Sequence, residues 1–208
     1  MSTDLPEGAS LWRGWLDAKA QRALAHEVGR LLAVAPPFRP TMPRSGRPFS
    51  VQMSNAGPLG WVSDPAGYRY QPTHPETGRP WPAIPETVLE LWEELAAYPA
   101  PPEACLINLY DAEARMGAHQ DKDEAALDAP VLSISLGSAA QFAVGGHARG
   151  GATQKLLLQS GDVLALGGPA RLLFHGVDKV FPGTSPLPRL PAGAERINLT
   201  LRRVTALT

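Results

Sequence analysis

Apolar residues recur at helical spacing over 17–34, where Leu24, Val28, Leu31 and Leu32 fall on one stripe until Pro36 and Pro37 stop the pattern. A second helix is predicted from Pro85, a residue suited to a first helical turn, with Val88, Leu91, Trp92 and Leu95 on one face before Pro99. Both stripes read as surfaces that pack on a core. From Cys105 onward the pattern changes to short apolar or alternating runs separated by Gly, Asp and Pro, as in sandwiches and barrels. The predicted strands are 105–110, 131–136, 141–144, 155–158, 162–166, 172–175 and 196–204. Double-sheet jelly rolls have about eight strands and hold a cavity between their sheets. The expectation is therefore an α+β, mainly β chain with a jelly-roll, cupin-like core over 105–204 and helices flanking it on the N-terminal side. Residues 36–84 are rich in Pro, Gly, Arg and aromatics and lack long periods, which predicts a substrate-facing lid of short strands and loops. Residues 182–195 read as a surface loop.

Composition adds bounds to this picture. A chain of 208 residues with 44% hydrophobic and 19% charged residues suits one well-buried domain. No apolar run approaches the roughly 20 residues that cross a bilayer, and the first residues lack a signal-peptide pattern, so a cytoplasmic protein without membrane partners is expected. Cys105 is the only cysteine, which excludes an intrachain disulfide and a thiolate zinc cluster. The formal net charge of −1 argues against coating nucleic acid through bulk charge. Locally the balance differs: residues 38–81 carry Arg39, Arg44, Arg47, Arg69 and Arg79 against Asp64 and Glu76, interleaved with Trp61, Tyr68, Tyr70 and Trp81. Such a segment either meets a phosphate backbone and stacks on bases or is a solvated loop.

The strongest chemical signal is His119-Gln120-Asp121, followed at a distance by His175. Residues two apart on a strand point the same way, so His119 and Asp121 converge on one ion and His175 closes a triad. Two imidazoles and one carboxylate on one face leave the opposite positions open, as in non-haem Fe(II) oxygenases, although the same ligands also serve catalytic zinc. In the last strand Arg196, Asn198, Thr200 and Arg202 alternate with Ile197, Leu199 and Leu201. Periodicity alone does not say which of these two faces binds.

These blocks resemble the AlkB family of Fe(II)- and 2-oxoglutarate-dependent nucleic-acid dealkylases, in its bacterial branch. The likeness runs in family order through Met53 to Trp61, Gly67 to Tyr70, Arg79 to Pro85, Ala104 to Tyr110, His119 to Glu124, Ser133 to Gly137, Leu156 to Asp162, Phe174-His175-Gly176, and the Arg196-x-Asn198-x-x-x-Arg202 motif. It weakens before residue 50 and at 183–195, and Ile197 and Leu201 stand where aromatic residues are expected.

The resemblance implies a double-stranded β-helix core, a nucleotide-recognition lid over 36–84, and Fe(II) held by the catalytic residues His119, Asp121 and His175. It implies 2-oxoglutarate bound by Asn108, Tyr110, Arg196, Asn198 and Arg202, with Arg202 and the Tyr110 hydroxyl on the distal carboxylate and Arg196 and Asn198 nearer the metal. For the substrate it implies Trp61 and Tyr68 on a flipped base and its backbone, Tyr70 on the same platform and Met53 in the pocket wall. Asp123 would meet an exocyclic amino group, and Arg149 would reach over the pocket. The activity implied is oxidative demethylation of N-alkylated bases of the 1-methyladenine and 3-methylcytosine type, with O2 as oxidant and formaldehyde, succinate and CO2 as products. That is direct-reversal repair of alkylated DNA, single strands preferred, with RNA as a further substrate and the enzyme acting as a monomer. The rival is the same oxygenase chemistry on a protein or small molecule.

Overall fold

The computed structural model describes residues 5–207. Twelve strands and two α-helices run in the order β1 (Ala9–Trp12), α1 (Ala18–Val34), β2 (Gln52–Ala56), β3 (Gly60–Asp64), β4 (Gly67–Gln71), α2 (Glu86–Leu95), β5 (Ala104–Tyr110), β6 (Met116–His119), β7 (Val131–Gly137), β8 (Ala140–Val144), β9 (Gln154–Leu158), β10 (Val163–Leu166), β11 (His175–Val180) and β12 (Arg196–Arg202). A six-stranded antiparallel sheet has the order β1-β10-β7-β12-β5-β2, and a four-stranded sheet has the order β6-β11-β8-β9. Leu106, Leu164 and Leu166 of the first sheet and Phe142, Leu158 and Val177 of the second share one buried cluster, so the two sheets face each other across a common interior. This is the mainly β, two-sheet core that the strand pattern predicts.

Both faces of the large sheet are buried, for different reasons. On the outer face Ile107, Leu109, Ile134, Ile197, Leu199 and Leu201 meet Leu24, Val28 and Leu32 of α1 and Val88, Leu91 and Trp92 of α2. Each such side chain contributes about 1.5–3 kcal/mol by leaving water, and Leu199→Ala would cost about 2–5 kcal/mol. The side chain of Asp17 caps α1 by accepting from the Ala20 amide at 2.7 Å. With the apolar residues of β12 committed to the helices, alternation turns Arg196, Asn198, Thr200 and Arg202 inward, toward the second sheet. That settles the face that periodicity left open.

Three features differ from the sequence reading. β1 and β6 carry no clear alternation and were not expected, yet both join sheets through backbone ladders. The strand expected over 172–175 begins only at His175, because Ala170 to Phe174 turn out of a short 3-10 segment. Residues 36–84 divide: β2 is an edge strand of the large sheet, paired with β5, whereas β3 and β4 form a separate hairpin. The hairpin's end is braced by Asp64, which accepts from the Ala66 amide and forms a two-pronged pair with Arg69 at 2.8 and 2.9 Å. Among the described residues no helix is long and apolar enough to cross a membrane.

Candidate metal centre and substrate cavity

His119 is the last residue of β6 and His175 the first of β11, and the antiparallel register sets them directly opposite each other. Their rings lie 4.5 Å apart between centroids. Gly176 permits this approach, since a Cβ there would stand 2.4 Å from the Met116 carbonyl oxygen. Asp121 follows two residues after His119, is 4% exposed, and turns its carboxylate to both imidazoles. The His119 Nε2 to Oδ1 and His175 Nε2 to Oδ2 distances are each 3.5 Å. Nδ1 of His119 faces the Gly117 carbonyl and Nδ1 of His175 the Leu173 carbonyl, both at 2.9 Å. A proton on each Nδ1 is thereby engaged, and the Nε2 lone pairs are left for a metal.

One ligand atom from each of the three residues lies within 4.8 Å of the others. A set of two neutral nitrogens and one carboxylate oxygen fits Fe(II) with positions to spare. Burial pushes the Asp121 carboxyl up, but Arg202, then the two imidazoles, outweigh it and hold the group well below the usual carboxylate range. Asp121 is therefore an anion ready to ligate.

The two arginines of β12 occupy the reverse of their expected places. Arg202 donates from Nη2 to Asp121 Oδ1 at 2.6 Å and from Nη1 to Glu124 Oε1 at 2.8 Å, so it sits at the metal end and its charge is already paired. Arg196 lies six residues away on the same face, roughly 20 Å along the strand. It is 1% exposed and donates only to the Ser135 hydroxyl at 2.7 Å and the Ser138 carbonyl at 3.2 Å. Among the described residues no carboxylate pairs with it, and its Nε has no partner. Burial lowers its pKa to about 10, so the guanidinium is still charged at neutral pH. A desolvated charge of this kind calls for an anion. Tyr110, whose hydroxyl burial pushes up to about 12, is Arg196's register partner on β5. Between the two arginines, Asn108 donates to Asn198 and Thr200 and keeps a buried Oδ1 without a donor. Asn198 donates in turn to Ser133 Oγ at 2.7 Å.

A cavity of about 730 Å³ joins these groups to the surface. Its lining includes the triad, Asn108, Tyr110, Arg196, Asn198 and Arg202, with Met53, Trp61, Tyr68, Asp123 and Arg149 toward the mouth. Trp61 and Tyr68 stack with centroids 5.6 Å apart and planes 18° apart. Trp61 Nε1 donates to Asp123 Oδ2 at 2.8 Å, and Tyr68, half-exposed, faces solvent. Arg149 lies over the Phe174 ring at 5.1 Å.

Tyr70 is the residue that the structure takes out of this group. It does not line the cavity. Its hydroxyl bonds Glu124 and Arg202 in the interior, although alternation along β4 gives it the same facing as Tyr68. Glu124 and Arg171, which share that buried ionic cluster, were not anticipated: Glu124 closes the His119 block but carries no ligand spacing, and Arg171 stands outside any periodic run. Phe49, Arg115, Lys122 and Phe174 also line the cavity and had no sequence signal beyond their charge or ring.

The family model described as the 2OG-Fe(II) oxygenase superfamily matches residues 8–202. An alpha-ketoglutarate-dependent dioxygenase AlkB homolog of Caulobacter vibrioides is 54% identical over 198 residues, covering 94% of this chain and 87% of that protein. The alpha-ketoglutarate-dependent dioxygenase AlkB of Escherichia coli K12 is 44% identical over 155 residues, covering 73% of this chain and 72% of that protein. The solved structure of OsALKBH1 superposes with a TM-score of 0.82 at 31% identity, covering 96% of this chain and 98% of that one. The chain belongs to the 2OG-Fe(II) oxygenase superfamily and within it to the AlkB family, with Fe(II) as its cofactor and 2-oxoglutarate and O2 as co-substrates.

Proposed function

We propose that the chain removes N-methyl groups from bases in nucleic acid by oxidative demethylation, with 1-methyladenine and 3-methylcytosine as the type substrates and single-stranded DNA preferred over duplex. The observation that carries this reading is the stacked Trp61–Tyr68 pair with Asp123 bonded to it, set at the mouth of a cavity whose interior holds the His119, Asp121, His175 triad. Two aromatic faces and a carboxylate suit a flipped, cationic base: stacking on an aromatic contributes about 1–3 kcal/mol per base, and the carboxylate favours a positive ring over a neutral one. Removing a base from the stack costs a few kcal/mol, less where methylation has already broken its pairing.

The residues divide the work. His119, Asp121 and His175 would hold Fe(II), which when bound supplies the oxidising chemistry from O2 and 2-oxoglutarate. Arg196 and Tyr110 would take the distal carboxylate of 2-oxoglutarate, because among the described residues Arg196 bonds only neutral oxygens whereas Arg202 is paired with Asp121 and Glu124. Asn108 and Asn198 would orient the co-substrate between that end and the metal. Met53, Trp61, Tyr68 and Asp123 would seat the base with its methyl group toward the metal, and Arg149 would close over it.

The test is succinate formation from 2-oxoglutarate in the presence of Fe(II), with and without an oligonucleotide carrying one 3-methylcytosine. Stimulation by the methylated strand and not by its unmethylated twin is the expected result. Equal turnover with both strands would remove nucleic acid as the substrate.

A further inference from the structure

We infer that Arg171 is a positioning residue for the metal ligand Asp121, acting together with the buried carboxylate of Glu124. Asp121 sits just past the end of β6, at the start of a stretch, 120–130, that holds no helix and no strand. No sheet ladder fixes its backbone there. Side chains from elsewhere do.

Arg171 uses all three guanidine nitrogens on this one segment. Nη1 donates to the Asp121 carbonyl, Nε to the Ala129 carbonyl at 2.8 Å, and Nη2 to Glu124 Oε2 at 3.0 Å. The Arg171 side chain is 3% exposed and that of Glu124 is 0% exposed. The other oxygen of Glu124 accepts from Arg202 at 2.8 Å and from the Tyr70 hydroxyl. Arg202 in turn holds the Asp121 carboxylate at 2.6 Å. Asp121 is thus gripped twice, by its backbone carbonyl through Arg171 and by its side chain through Arg202, and Glu124 joins the two grips.

The placement of Arg171 in the chain sharpens its role. It lies four residues before His175, on the segment that delivers the second histidine. Gln120, beside Asp121, donates to the Leu172 carbonyl of that same segment at 2.6 Å. The two pieces of chain that bring ligands to the metal are therefore tied to each other twice, by Arg171 and by Gln120, and across that join His175 Nε2 and Asp121 Oδ2 stand 3.5 Å apart. A lysine has the charge but a single nitrogen in place of the planar fork, and cannot reproduce the three contacts made by three separate guanidine nitrogens.

The inference rests on the metal site and not on the identity of the substrate, so the test omits nucleic acid. Co(II) is titrated anaerobically into the wild-type chain, Arg171→Lys, Arg171→Met and Glu124→Gln, and the visible absorption of bound Co(II) is recorded with each affinity. Outer partners of metal ligands commonly change affinity by about 10- to 100-fold, and a loss of that size with an altered Co(II) spectrum is expected in Arg171→Lys and Glu124→Gln. Trp92→Phe, on α2 and facing the outer side of the large sheet, removes the indole donor to the Ala100 carbonyl and supplies a comparison that lowers the melting temperature without touching the metal loop. Wild-type Co(II) affinity and spectrum in folded Arg171→Lys would overturn the inference, as would an equal loss in Trp92→Phe. Should Arg171→Met fail to fold, the lysine and glutamine variants decide the matter alone.

Discussion

The indole Nε1–H of Trp61 donates to Oδ2 of Asp123 across 2.8 Å, which makes the aromatic platform and the carboxylate beside it one hydrogen-bonded unit. One Asp123 oxygen is thereby committed to Trp61, and under the proposed function the other would meet the base. Trp61→Phe keeps a ring for stacking and removes the donor, and a hydrogen bond to a charged group contributes about 1.5–3 kcal/mol. The KM for a 3-methylcytosine oligonucleotide should rise about ten-fold while the KM for 2-oxoglutarate stays constant. Steady-state kinetics with each substrate varied in turn makes the comparison, and a parallel rise in both would place Trp61 in general stability instead.

Arg196 carries the corresponding prediction for the co-substrate. Among the described residues it bonds only the Ser135 hydroxyl and the Ser138 carbonyl, and under the proposed function its charge would meet a carboxylate of 2-oxoglutarate. Two parallel charged hydrogen bonds at about 1.5–3 kcal/mol each imply a KM increase of at least about a hundred-fold in Arg196→Met. The same variant should lose the rise in melting temperature that 2-oxoglutarate gives the Mn(II)-loaded chain.

Gly176→Ala tests the pairing of the two histidine strands. A Cβ 2.4 Å from the Met116 backbone oxygen forces β6 away from β11, and with it His119 from His175. Overpacking of this kind costs about 1–3 kcal/mol. Metal titration should show weaker Mn(II) binding together with a lower melting temperature, whereas wild-type affinity would mean that β6 adjusts freely.

The buried ionic cluster predicts how stability follows pH. Burial and the nearby Asp121 push the Glu124 carboxyl up, but Arg202, the Tyr70 hydroxyl and Arg171 together outweigh them and hold the group below its ordinary value of 4.5. A carboxylate lowered on folding contributes stability above its unfolded value, and that contribution is lost as pH falls through the lower, folded value. Urea unfolding should therefore show Glu124→Gln well below wild type at neutral pH. The gap should narrow below about pH 4.5, as the wild-type carboxylate takes up its proton. A constant gap across that range would mean that Glu124 does not titrate with folding.

Much of this was legible in the residues themselves. The helical stripes ending at Pro36 and Pro99 and the alternation in β5, β7 and β12 are strong because each element buries a continuous apolar face. The triad was legible because His119 and Asp121 keep a spacing that few other roles require. What escaped depends on the third dimension. The order of Arg196 and Arg202 relative to the metal follows from the antiparallel path of β12, and a strand's own pattern has no such direction. Tyr70 shares its alternation with Tyr68 yet bonds the buried Glu124, while Tyr68 stacks on Trp61 at the cavity, and which of the two reaches the interior depends on partners far away in sequence. Arg171 gave no signal, since an arginine after a short turn reads as a solvated charge until its partners from 121, 124 and 129 are seen around it.

Under the proposed function, a base is demethylated at the His119, Asp121, His175 centre. The most direct measurement is the mass of an oligonucleotide carrying one 1-methyladenine or 3-methylcytosine after incubation with the chain, Fe(II), ascorbate and 2-oxoglutarate in air. A loss of about 14 Da per methyl group with the wild-type chain, and none with His119→Ala, is the predicted result. An unchanged mass for both lesions, in single and double strands and with metal bound, would contradict it.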